Sequence, residues 1–60
     1  MPTVGARLRD TTRRLAEAGV PSPRHDAIVL IAHTLGLEPS YIRTAAARDD
    51  EWPPGADLDL

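Results

Sequence analysis

The chain has no cysteine, no phenylalanine and no lysine, and its only aromatic residues are Tyr41 and Trp52. Without cysteine there is neither a disulfide nor a thiolate metal site, and a reducing cytoplasm is the expected setting. Two histidines, His25 and His33, are too few for a zinc cage without further ligands. The longest apolar run, Ala27–Ala32, falls far short of the ~20 residues that span a bilayer. The start of the chain leads straight into Arg7, Arg9, Arg13 and Arg14 and has no signal-peptide pattern. A soluble protein is expected. No stretch alternates apolar and polar residues as a strand would.

Sixty residues make one small domain. A chain of this size buries only about 60% of its unfolded surface, and a single core at this length supplies roughly 3–5 kcal/mol. With no disulfide or metal to help, stability must come from tight helix packing, a partner or more chain.

The net charge of −2 is unevenly placed. All seven arginines lie in residues 1–48 against Asp10, Glu17, Asp26 and Glu38, which leaves +3. Residues 49–60 carry Asp49, Asp50, Glu51, Asp57 and Asp59 with no basic residue, which makes −5. The break marks a boundary between a helical core, 1–48, and an acidic loop with the start of a next helix, 49–60.

Helical signals dominate, and they come with punctuation. Thr3 is placed to cap a first helix from Val4 to Ala18. Val4, Leu8, Thr11, Thr12, Leu15 and Ala18 share one stripe of the wheel, with Arg9, Asp10, Arg13 and Glu17 opposite. Asp10 precedes Arg14 by four residues, the favourable order for an ion pair. Gly19 and Val20 read as a left-handed stop with its apolar contact, and Pro21 prevents continuation. Ser22-Pro23 opens a second helix by a side-chain cap and a proline at its first position. That helix runs to Leu35, where Gly36-Leu37 repeats the stop. Its expected core stripe is Ala27, Leu30, Ile31, Thr34 and Leu35, widened by Ile28, Val29 and Ala32. Pro39 opens a third helix to about Ala47, with Tyr41, Ile42, Ala45 and Ala46 expected inside. Pro53-Pro54 keeps Arg48–Gly55 a loop, where Trp52 either packs on the bundle or marks an interface. Asp57, Leu58 and Leu60 suggest a fourth helix beginning. The expected fold is all-α, a small bundle of three helices plus the start of a fourth.

The stretch Ala18-Gly19-Val20-Pro21-Ser22-Pro23-Arg24-His25-Asp26-Ala27, continuing through Leu30, Ala32-His33 and Leu35-Gly36, resembles the second-helix signature of one family. That family is the N-terminal domain of HemK/PrmC-type release factor glutamine methyltransferases. The likeness covers roughly residues 5–47. Ile28 stands where the family usually carries glutamate, and Thr34 where an aliphatic residue is usual. The resemblance implies a helical domain that helps to hold a class I peptide-chain release factor. A further domain then transfers the methyl group of S-adenosylmethionine to a glutamine side chain. That further domain carries a glycine-rich loop and an Asn-Pro-Pro-Tyr motif. Here Gly5, Gly19, Gly36 and Gly55 are scattered, and Pro53-Pro54 is flanked by Trp52 and Gly55. No catalytic, cofactor-binding or metal-ligating residue is therefore assigned to these 60 residues. S-adenosylmethionine is implied only for the full-length enzyme.

Asp26 and His33 lie seven residues apart, about 10 Å along a helix, so they form no direct catalytic pair. They are expected to hydrogen-bond to neighbouring helices. Arg24, beside a helix start, either meets an acidic or phosphate group or salt-bridges within the bundle. Arg9, Arg13 and Arg24 are the candidate contacts for a protein partner. Two rival readings remain. One is a free-standing helical interaction module. The other is a DNA-binding helix-turn-helix around Gly19, against which stand the acidic balance and the lack of base-reading side chains at Ala27–Ala32.

The missing loop and motif generate the first prediction. Calorimetry of this chain with S-adenosylmethionine should show no saturable heat. A micromolar dissociation constant would overturn the non-catalytic assignment.

Overall fold

The structure, a computed structural model, describes residues 3–56. Three helices form: α1 Val4–Glu17, α2 Pro23–Leu35 and α3 Pro39–Arg48. Each packs on the other two, and α1 meets α2 most extensively. No strand forms among the described residues beyond an isolated antiparallel bridge between Thr3 and Glu51. The suggested helix start at Asp57 lies outside the described residues.

All three helices end in the same way. The Val20 N–H donates to the Leu15 carbonyl at 3.0 Å while that of Gly19 donates to Ala16 at 3.1 Å. Leu37 and Gly36 repeat the pattern onto Ala32 and His33, and Asp50 and Asp49 repeat it onto Ala45 and Ala46. These are Schellman stops, which satisfy otherwise orphaned carbonyls through a left-handed residue. Gly36 takes that conformation at φ 68° without steric cost. On α3 the residue is Asp49, at φ 56°, where a side chain is less comfortable.

The starts differ from one another. Thr3 Oγ1 accepts from the Ala6 N–H at 3.1 Å, as its position suggests. Ser22, by contrast, makes no side-chain cap. Its ψ of 69° departs from the extended cap conformation, so only its carbonyl serves the helix, accepting from the Asp26 N–H at 3.0 Å. Proline 23 alone marks that start.

The core comprises Val4 and Leu8 from α1, Ala27, Ile28, Ile31 and Ala32 from α2, Ile42 and Ala45 from α3, and Trp52. Thr11 is buried beside them. The buried stripe of α2 is rotated from the expected one. Ile28 and Ala32 are inside, whereas Leu30, Thr34 and Leu35 are half-buried and Val29 is 44% exposed. A helix apolar nearly all round gives periodicity little to aim with, and contact with both α1 and α3 sets the direction. Tyr41 is a second correction, at 48% exposed. It sits one residue, or about 100°, from Ile42, which together with Ala45 takes the inward face.

Trp52 joins the core at 5% exposure, and its indole N–H donates to the Ala56 carbonyl at 2.7 Å. The Arg7 guanidinium lies over its ring, 5.2 Å from the centroid. Such a cation–π contact is worth about 0.5–2 kcal/mol. It gives a favourable neighbour to an arginine whose Nε is buried without a hydrogen bond. The loop after α3 is thus part of the packed body.

Burial sets the expected order of damage. Ile31→Ala, at a fully buried site, should cost about 2–5 kcal/mol, enough to unfold a domain this small. Leu30→Ala should cost visibly less, and Ser22→Ala should stay within about 0.5 kcal/mol. Urea midpoints in any other order would contradict this packing.

Candidate interaction surface

The seven arginines divide by what they touch. Arg13 and Arg14 share Asp10, at 2.6 Å and 3.2 Å, on the exposed side of α1. Arg48 reaches Asp50 at 3.7 Å, and Arg7 covers Trp52. Arg9, Arg24 and Arg43 have no ion pair among the described residues, and all three are exposed.

These three come from three different helices and line one groove of about 260 Å³. Gly5, Leu8, Ala46 and Ala47 complete it. Helical spacing accounts for the local arrangement: Gly5 and Arg9 are four apart on α1, while Arg43, Ala46 and Ala47 share one side of α3. Arg24 follows Pro23 in the first turn of α2.

Gly5 is needed here because α1 and α3 nearly touch. A Cβ on Gly5 would lie 2.9 Å from Asp49 Oδ1 and 3.2 Å from the Ala46 carbonyl oxygen. The absent side chain therefore lets the helices close, and it places the Asp49 carboxylate beside the groove.

Of the three candidate contacts from sequence, Arg9 and Arg24 are brought together. Arg13 lies in an adjoining surface depression with Arg9 and Asp10, its charge already engaged. Arg43 is the residue that sequence reasoning missed. Nothing in its neighbourhood along the chain distinguishes it, because only the pairing of α1 with α3 aligns it with Arg9. Asp26 and His33 are both exposed and make no side-chain hydrogen bond to another helix among the described residues, contrary to expectation. With Val29 and Leu30 they line an outward surface of α2, because the rotation that buries Ile28 and Ile31 turns positions 26, 29 and 33 outward. Arg24 likewise forms no salt bridge within the bundle among the described residues. No group of residues with metal-ligating potential occurs among the described residues, and no helix is long and apolar enough to cross a membrane.

Fold and groove together define a small all-α bundle whose free positive charge gathers on one face. The chain belongs to the PrmC N-terminal domain family, whose model matches residues 7–57. It is also 47% identical over 55 residues to the release factor glutamine methyltransferase of Corynebacterium glutamicum. That match covers 92% of this chain and 19% of the relative, so the chain spans about a fifth of the relative's length. No solved structure gives a significant match.

The close approach at Gly5 can be tested. Gly5→Ala gains up to about 1 kcal/mol of helix propensity but pushes a methyl group against the α3 backbone, an overpacking cost of about 1–3 kcal/mol. A net loss near 1 kcal/mol is expected by urea unfolding. A raised midpoint would show that α1 and α3 are not held at this distance by Gly5.

Proposed function

We propose that this chain serves as the non-catalytic N-terminal domain of a release factor glutamine methyltransferase and helps to hold the release factor. A separate domain would transfer the methyl group from S-adenosylmethionine to the glutamine side-chain nitrogen, in the cytoplasm, as part of translation termination. S-adenosylmethionine belongs to that separate domain in this reading, which is supported by the wide spacing of Gly5, Gly19, Gly36 and Gly55 along the chain.

The observation that carries the reading is the family match together with three unengaged arginines on one face. Binding energy gathered away from the reacting atoms can orient a large protein substrate, and truncating it lowers kcat/KM for that substrate. Electrostatic attraction adds mainly to the association rate and weakens as salt rises.

Joining this chain to a catalytic domain of the family provides the test. Compared with the catalytic domain alone, the joined protein should methylate intact release factor with a lower KM or higher kcat/KM. A short glutamine peptide should be methylated equally by both. Equal rates on the intact factor across a range of salt would leave the chain with a purely stabilising role.

A further inference from the structure

We propose that Arg9, Arg24 and Arg43 form a three-pronged receptor for carboxylates displayed along one acidic helix of a partner protein. The partner's identity as a release factor rests on the functional reading above, but the groove and its ligand chemistry do not.

Charge bookkeeping is the first support. Four arginines are already engaged, by Asp10, by Asp50 and by the face of Trp52. The three that remain converge on one groove although they arise from three helices. Each guanidinium offers a planar fork of donors suited to a carboxylate.

Shape is the second. The groove's 260 Å³ is room for about nine waters at ~30 Å³ each, enough for carboxylate groups but not for a folded domain. Its inner wall is low because Gly5 has no side chain and Ala46 and Ala47 have short ones. Arginine forks therefore rim a shallow floor against which the stem of a glutamate can lie.

The surroundings favour an acidic protein over a nucleic acid. Asp49 borders the groove at Gly5, and Asp10 lies beside Arg9 in the adjoining depression. A continuous polyphosphate would run against these carboxylates, whereas separate side chains can be placed between them. No aromatic ring lines the groove for base stacking.

The test uses this 60-residue chain and an alanine-based helical peptide bearing glutamates four residues apart, followed by NMR shift titration at low salt. Shifts should centre on Gly5, Arg9, Arg24, Arg43 and Ala47. Arg9→Gln, Arg24→Gln and Arg43→Gln should each weaken binding roughly two- to fivefold, as exposed ion pairs do. Arg13→Gln and Arg48→Gln should change it less than about twofold. Arg43→Lys keeps the charge but loses the fork, so it should fall between wild type and Arg43→Gln. Asp49→Asn removes a like charge and should tighten binding, which a variant acting only through stability would not do. Thermal melts confirm that each variant is folded.

The proposal fails if the glutamine version of the peptide binds equally, if the control arginines matter as much as the three, or if a short single-stranded RNA binds this groove more tightly than the peptide. Failures of the two readings are separable through the joined enzyme. Should the peptide occupy the groove while the joined enzyme gains nothing on intact factor, the receptor stands and the substrate-holding role falls. Should the enzyme gain from the chain but tolerate all three glutamine variants, the receptor falls and the role stands.

Discussion

At Gly5, α1 and α3 come so close that a single methyl group would press on the Asp49 carboxylate, 2.9 Å away, and stand within 3.2 Å of the Ala46 carbonyl oxygen. Several other features follow from that approach. It brings the segment after α3 alongside the start of α1, where the Val4 N–H donates to the Asp50 carbonyl at 2.8 Å. That bond satisfies one of the orphan donors of α1, and Thr3 Oγ1 satisfies another. The same proximity makes the Thr3–Glu51 bridge possible and delivers Trp52 to the core beneath Arg7. In a chain without cysteine, closure of the loop by backbone bonds and one buried indole stands in for a covalent staple.

The groove is the outer consequence of this closure. With α1 and α3 pressed together over small residues, their next outward side chains, Arg9 and Arg43, face a common depression, and the first turn of α2 adds Arg24. The other arginines have duties inside the domain, from the Asp10 pairs to the cover over Trp52. Net charge is thus a poor guide to this protein's surface. An overall balance of −2 coexists with a face that is locally cationic, because the acids cluster after residue 48 and the arginines on the bundle are only partly neutralised.

Family membership and the groove support one physical picture. A bundle of this size has little room for a buried catalytic constellation. Rigid helices nonetheless fix the backbone positions from which the three arginines extend toward one groove. The half-exposed Leu37 and Tyr41 border a separate depression with Ile42 and Pro53, into which Asp50 and Glu51 also bring acidic groups.

What the sequence determined alone was local. Thr3, Pro23 and Pro39 mark helix starts; Gly19 and Gly36 mark stops. Each acts through its own backbone preference or, for Thr3, a side-chain bond three residues along, which is why the three helices and their approximate ends were legible. The Asp10–Arg14 pair was legible for the same reason, being one turn apart on a single helix. Tertiary structure decided whatever depended on a neighbouring helix. It rotated α2 to bury Ile28 and Ala32 in place of Leu30 and Thr34, since an all-round apolar helix has no preferred face until partners cover it. It turned Tyr41 outward, left Ser22 without a capping bond, and set Gly5 where a side chain would crowd Asp49 and the Ala46 carbonyl. It also sorted seven chemically identical arginines into four engaged and three unengaged, bringing Arg43 beside Arg9 across 34 positions of sequence. Periodicity reports which residues share a face of one helix. Which faces meet, and which charges are left over, follows only from how the helices pack.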